Sequence, residues 1–506
     1  MKKPSDLLSW ASVISAVFFA VVLAANVSAM EKAEKTKKLV DKVLYPHDPD
    51  KKGIYRWSEG STISLDGKQH LMMLVTALGF GGHDDTPGDI IRVESRDGGL
   101  TWTPQDKIAL FQKNIGKANI QSPSLLRLDD LNSKGRELLC FFMVKHKAWV
   151  DSGTWMKRSL DNGKTWSEPK RLPYEGYGGL SSDRAYLTSK GRIILPSWVS
   201  MDKGGSTHAY CHYSDDRGKT WKKTALISVP KGSSGRRTDP AAEEPTVVEL
   251  KDGRLMMFMR TYLKSIFVSY SDDDGATWSK PKSSGIPSPG AMPTVRRMPG
   301  GDLLLIWNWA AEEKISGPWP RNRISSAVST DDGKTWNSLR HLDGAEDFSG
   351  KITMANVAFC NGNAVVTYSK SMTKKNAYSW RLQVIPIKWF YEGDKSVAYG
   401  ETYRARLEAK IAGNEKLPKS KAPQSIPRPT ADQRKAAMKK QAKAVEACKK
   451  QPDLVAAYSF DEGDGSFVYD LTGKQNDMAV VKAGKSPAFV EGKVGKALAV
   501  QRQGLS

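Results

Sequence analysis

Five copies of one eight-residue pattern, Ser-x-Asp-x-Gly-x-Thr-Trp, run along this chain: Ser95 to Trp102, Ser159 to Trp166, Ser214 to Trp221, Ser271 to Trp278 and Ser329 to Trp336. Successive copies start 55 to 64 residues apart. Chance fixes neither five positions nor an even period, so the pattern marks one supersecondary unit used repeatedly. Each copy follows an apolar, β-branched stretch, such as Ile90-Ile91-Arg92-Val93 or Ile266-Phe267-Val268, and precedes another short extended run. It therefore reads as a hairpin turn. In such a turn the Asp carboxylate can accept hydrogen bonds from turn amides and from the Ser and Thr hydroxyls, the Gly can take φ > 0, and the Trp can fill the gap between units. All of these roles are structural.

A fainter repeat sets the count. Glu244-Pro-Thr-Val-Val-Glu-Leu-Lys-Asp-Gly-Arg-Leu-Met-Met is echoed from Met292 onward, and looser copies begin near Glu59, Ser122, Ser182 and Thr353. Each reads as strand, Gly-containing turn, strand. The first five lead into a box; the last, ending in Val365-Val366-Thr367-Tyr368, does not. Six such units in about 350 residues predict an all-β chain whose main domain, residues 50–400, is a six-bladed β-propeller.

Composition divides the rest. Residues 1–29 carry Lys2 and Lys3, an apolar run from Leu7 to Ala25 and the small-residue site Val27-Ser28-Ala29, the pattern of a secretory signal peptide. Since the run is nearly long enough to span a bilayer, an uncleaved anchor is the competing reading. The expected location is secreted, periplasmic or cell-envelope, with no stable membrane span after cleavage. Cys140, Cys211, Cys360 and Cys448 are scattered without metal-ligand spacing, and the first three sit in apolar strand contexts as small buried hydrophobes.

The formal net charge of +22 is concentrated in part in residues 401–452. From Glu401 to Lys450 there are fourteen Lys or Arg against five Asp or Glu, 14 − 5 = +9. Pro418, Pro423, Pro427 and Pro429 mark a linker, and the Ala- and Lys-rich stretch from Ala431, with Thr430 as N-cap, reads as a short solvated helix. A signal peptide and the lack of interleaved aromatics argue against nucleic acid as the partner. Residues 453–506, with Leu454-Val-Ala-Ala-Tyr-Ser-Phe and Gly495-Lys-Ala-Leu-Ala-Val, resemble the opening strands of a laminin-G-like or concanavalin-like jelly roll, too short to close two sheets.

From Ile54 to Gly400 the boxes resemble the bacterial neuraminidase repeats of the sialidase superfamily. They specify a fold strongly and an activity weakly, so function must be argued from the central axis. There the resemblance implies a role for Glu244, which opens the fourth unit, and for Arg260, sixteen residues on at the end of Leu255-Met-Met-Phe-Met-Arg. In sialidases the corresponding Glu polarises the nucleophile, and the Arg is one of three that clamp the substrate carboxylate. A guanidinium suits that planar anion for geometric reasons. The competing readings are a surface turn carboxylate and a strand-end salt bridge. The loop His83-Asp84-Asp85-Thr86-Pro87-Gly88-Asp89 is similar to the one carrying the acid/base, with Asp85 the best fit; the competing readings are an acidic turn and a His83-Asp84-Asp85 metal site. Arg321, ahead of Arg323, matches the third clamp arginine by offset.

The departures are as informative. Arg56, in Tyr55-Arg-Trp-Ser-Glu59, is present but out of the family's motif, and no Tyr stands in Phe348-Ser-Gly-Lys-Ile-Thr-Met354 where the nucleophile is expected. Tyr368, Tyr262 and Tyr186 are the nearby candidates. Other catalytic patterns are absent: there is no His-Glu-x-x-His and no Gly-x-Ser-x-Gly. No metal or cofactor is implied.

The expectation is an exported glycoside hydrolase of the exo-α-sialidase type acting on an acidic glycan or glycoside. Glu244 and Asp85 would be catalytic, with Arg260, Arg321, Arg56 and Glu59 binding substrate. The alternatives are a carbohydrate-binding propeller that has lost its nucleophile and a scaffold propeller. Glu59, Glu244 and Arg260 are expected in one central depression.

Overall fold

Every box begins on the last residue of a strand. Gly88–Ser95, Asp151–Ser159, Thr207–Ser214, Ser265–Ser271 and Arg323–Ser329 each run directly into one, as a strand-to-turn reading requires. The structure, a computed structural model, describes residues 36–48, 56–79, 86–104, 108–109, 119–128, 136–147, 151–173, 176–200, 205–232, 240–310, 320–345, 347–372, 377–396 and 398–400, with four short strands between 467 and 499. Two compact units divide the chain after Lys410.

The first unit is all-β and propeller-like. Its second sheet is built on Tyr177–Leu180, Ile193–Ser200, Thr207–Ser214 and Lys222–Lys223, and its third on Glu243–Glu249, Leu255–Arg260, Ser265–Ser271 and Lys282–Pro287. The fourth comprises Thr294–Arg297, Leu303–Trp307, Arg323–Ser329, Thr335–Gly344 and Tyr399–Gly400. The fifth comprises Lys351–Cys360, Asn363–Ser371, Ser379–Pro386 and, from the N-terminal side, Val40–Tyr45. That last strand lies upstream of residue 50, where the domain was expected to start.

Four sheets of four or five strands thus stand alone, and the expected six separate blades are corrected. The first two strand groups, Arg56–Ser64 with its partners and Asn119–Arg127 with its partners, share one eight-stranded sheet. The cause is local. Gly88 and Asn119 form a parallel pair at the strand ends, and the Asn119 amide donates to the Thr86 carbonyl across the junction.

First strands lie inside. Arg56–Ser64 packs against Asn119–Arg127 and Lys351–Cys360, and Thr294–Arg297 packs against Glu243–Glu249 and Lys351–Cys360, so they surround a common axis. Apolar side chains of adjoining groups fill the gaps. Met72, Leu74, Ile120, Leu138 and Phe142 make one such cluster, and Phe258, Leu303, Leu305, Trp307 and Trp336 another. Cys140, Cys211 and Cys360 are buried and unbridged.

The boxes behave alike. In the first, Ser95 Oγ donates to Asp97 Oδ1 at 2.8 Å, the Gly99 amide donates to Ser95 Oγ at 2.8 Å, and Thr101 donates its amide and hydroxyl to Asp97. The same pattern recurs at Asp161, Asp216, Asp273 and Asp331.

The second unit contains two antiparallel pairs, Phe467–Val468 with Met478–Ala479 and Ala488–Gly492 with Gly495–Ala499. The leader at 1–29 and the segment 401–452 lie outside the described residues. Among the described residues no helix is long and apolar enough to cross a membrane.

Candidate active site

Bulges near the start of the innermost strands build the site. Register slips between Trp57 and Gly60, Gln121 and Ser124, Glu243 and Thr246, and Thr353 and Asn356. A bulge carries an unpaired residue and re-aims its side chain. Ser122, Glu244 and Met354 occupy these positions with φ of 58°, 48° and 58°, and Asp183 of the second sheet has φ 58°. Each such left-handed conformation costs a non-glycine residue about 1–2 kcal/mol. The strain recurs around the axis, where side chains from different sheets meet.

Glu244 and Arg260 meet as the sequence expectation requires. Glu244 Oε2 lies 2.9 Å from Arg260 Nη1, with the two side chains 12% and 9% exposed. The register explains it, because Arg260 ends its strand opposite Glu243, one residue before the bulge. Glu243 joins the pair: its Oε2 is 3.4 Å from Arg260 Nη1, and its Oε1 accepts from Thr207 Oγ1 at 3.1 Å. Arg260 Nη2 donates to the Tyr262 hydroxyl at 2.8 Å, and that hydroxyl donates to Glu243 Oε2 at 3.3 Å. Burial opposes the Arg260 charge, but Glu244, Tyr262 and Glu243 outweigh it and hold the guanidinium ionised well above its ordinary range. Its buried Nε has no hydrogen-bond partner among the described residues.

Arg321 belongs to the same neighbourhood. It is buried, with Nη2 donating to the Gly290 carbonyl at 2.6 Å and Nη1 to Thr353 Oγ1 at 3.3 Å. Burial and then the Arg260 charge depress it to about 10, partly offset by Glu244, Tyr262 and Tyr378. Arg323 instead lies over the Trp309 ring at 5.2 Å beside His341.

Arg56 and Glu59 are both buried on the first inner strand. Arg56 sits 5.0 Å over the Tyr378 ring and bridges that residue through the backbone, while Glu59 accepts from the Ser122 hydroxyl. Asp85, with His83 and Asp84, lies outside the described residues. Among the described residues no cluster of three His, Cys, Asp or Glu could hold a metal ion.

Sequence reasoning missed the centre. Asp183 Oδ1 accepts from Ser61 Oγ at 2.9 Å and Asp183 Oδ2 from Arg296 at 2.8 Å. Arg184, fully buried, reaches the Pro293 carbonyl at 2.8 Å, so it ties the second sheet to the fourth across the axis. Burial and Arg296 push it down to about 9, against the pull of Asp183, Glu244 and Glu59. The copy noted near Ser182 was the available signal, since Asp183-Arg184 sits where Glu244-Pro245 does two units on. Of the three candidate tyrosines, Tyr368 donates to Asp343 Oδ2 at 2.8 Å, and the Tyr186 hydroxyl accepts from the Glu249 amide at 3.1 Å. Those two are committed to other neighbours; Tyr262 is at the site.

A family described as the BNR repeat-like domain matches residues 69–380 of the chain. The chain belongs to that family. This BNR repeat-like domain is 27% identical over 296 residues to a sialidase of Paraclostridium sordellii, covering 54% of the chain and 68% of that protein. It is 24% identical to sialidases of Micromonospora viridifaciens, over 49% of the chain and 40% of that protein, and of Bacteroides fragilis (strain YCH46), over 50% and 49%. It therefore spans less than half the length of those two. Among solved structures, a protein of unknown function from Dyadobacter fermentans DSM 18053 superposes with TM-score 0.54 at 19% identity, over 70% of the chain and all of that protein. A Trypanosoma rangeli sialidase mutant displaying trans-sialidase activity superposes with TM-score 0.51 at 16% identity, over 74% of the chain and 62% of that protein. The BNR repeat-like domain is a sialidase-like propeller.

Proposed function

We propose that the chain is a glycoside hydrolase of the sialidase type, exported behind a signal peptide at 1–29, that acts on a sugar bearing a carboxylate. The observation that carries this reading is the buried Glu244 and Arg260 pair with Arg321 beside it. Arg260 keeps a buried Nε donor without a partner among the described residues, and a charge-assisted guanidinium contact with a planar carboxylate is both strong and geometrically selective. Arg56 and Glu59 would complete the binding face, and Asp85 would protonate the leaving oxygen. We count the eight-stranded sheet as two blades joined through one residue pair, six in all, and read the hairpins after residue 453 as part of a laminin-G-like segment.

The second reading, a binding propeller without turnover, is favoured by one observation: no Tyr stands between Phe348 and Met354. Assay of wild type beside Glu244→Gln on a panel of fluorogenic sialosides and uronides separates the two. We expect weak or no sialoside hydrolysis, turnover of a uronide or related acidic glycoside, and loss of that turnover in the variant. Binding of acidic sugars without hydrolysis of any panel member supports the second reading.

A further inference from the structure

We infer that Tyr262 and Glu243, rather than Glu244, form the nucleophile and its base, an assignment that rests on the hydrolase reading above. Three requirements of nucleophilic catalysis meet at this pair: an oxygen nucleophile within hydrogen-bond reach of a base, a base oriented by a third group, and a means of stabilising the developing anion. The Tyr262 hydroxyl lies 3.3 Å from Glu243 Oε2. Glu243 is fixed at its other oxygen by Thr207 Oγ1 at 3.1 Å. Arg260 Nη2 donates to the phenol oxygen at 2.8 Å, where it would stabilise phenolate character as the proton leaves. Tyr262 is half-buried just beyond the Leu255–Arg260 strand, whereas Glu243 and Arg260 are buried, so the phenol is the member of the trio that a ligand can reach.

Glu244 is placed differently. Its contact is with Arg260 Nη1, so it holds the guanidinium in position and touches no nucleophile among the described residues. A phenol also suits the substrate class, because it approaches an anionic sugar as a neutral group. In the first half-reaction the Tyr262 oxygen bonds to the anomeric carbon as its proton passes to Glu243. The glycosidic carbon–oxygen bond breaks, and the departing oxygen takes a proton from a carboxylic acid on the far side of the ring, the role proposed for Asp85. In the second, water adds to the anomeric carbon and gives its proton to that carboxylate. The tyrosyl bond then breaks, and the phenolate recovers its proton from Glu243. The sum is hydrolysis, and two displacements at one carbon retain its configuration.

The test uses the intact chain and the acidic glycoside that wild type hydrolyses in the panel. Wild type is incubated with the corresponding fluorinated sugar, 2,3-difluorosialic acid for a sialoside or 5-fluoroglucuronosyl fluoride for a uronide, and the labelled peptide is mapped by mass spectrometry. Tyr262→Phe and Glu243→Gln are assayed alongside, with melting curves to confirm folding. The expected result is a label on Tyr262, loss of labelling and turnover in Tyr262→Phe, and a fall of about 10²- to 10⁴-fold in Glu243→Gln. A label on Tyr378 or elsewhere, no label at all, or turnover by Tyr262→Phe within tenfold of wild type overturns this assignment and leaves the hydrolase reading standing. Failure of wild type to hydrolyse any acidic glycoside overturns both.

Discussion

The Asp161 carboxyl is fully exposed, yet it is held at about 2. The Thr165 hydroxyl and amide, then the Ser159 hydroxyl, donate to its ionised form. Asp216 is lowered in the same way by Thr220 and Ser214. A carboxyl whose folded pKa lies below its unfolded value near 3.8 stabilises the fold fully above that value. The contribution is lost as pH falls from about 4 through about 2, because the unfolded chain then binds the proton more readily. Melting curves should therefore show Tm dropping steeply from pH 5 to pH 2. Asp161→Asn should lower Tm at pH 5 and reduce the steepness of the acid fall; an unchanged profile would show that the box carboxylates carry no pH-linked stability. At this scale the sequence was largely legible, since Ser, Asp, Gly and Thr at fixed offsets can make only a few hydrogen-bond patterns. Tyr378 was not legible, because it precedes the third strand of the sixth group, which carries no box to mark it.

Elements differ where the sequence repeats. All five box tryptophans were expected to plug gaps between units, and Trp102, Trp278 and Trp336 donate their indole N–H to a box glycine carbonyl. Only Trp336 is fully buried, 1% exposed between Phe258, Leu303 and its neighbours; Trp278 is half-buried. Trp336→Ala should cost about 3–5 kcal/mol, and Trp278→Ala distinctly less, as measured by urea unfolding. Equal losses would mean that exposure does not govern the boxes. The inner strands teach a related lesson. The Glu244-to-Arg260 spacing across a hairpin was readable as a meeting of two side chains, and they meet. The bulge that aims Glu244, and the Asp183-Arg184 tie across the axis, were not readable, because they depend on contacts between groups far apart in sequence.

For the whole molecule, the repeat period fixed the strand order but not the sheet boundaries. A single parallel pair at Gly88 and Asn119 merges two groups, and the fifth sheet takes its outer strand from Val40–Tyr45, which no box announces. Tyr45 stacks on Trp57 at 4.8 Å and donates to the Thr103 carbonyl at 2.9 Å, so that strand locks the last group onto the first. Closure in turn lets Arg56 and Arg321, from opposite ends of the chain's first unit, serve one site beside Arg260. The central claim is that this basic mouth recognises a sugar carboxylate. Calorimetric titration of glucuronate, sialic acid and neutral glucose into wild type and Arg321→Met tests it most directly. A methionine can replace a buried guanidinium without unfolding the protein. The account predicts that at least one acidic sugar binds, that glucose does not, and that the variant loses roughly tenfold to a hundredfold in affinity, the worth of one charge-assisted contact. Equal binding of acidic and neutral sugars, or full affinity in Arg321→Met, would contradict it.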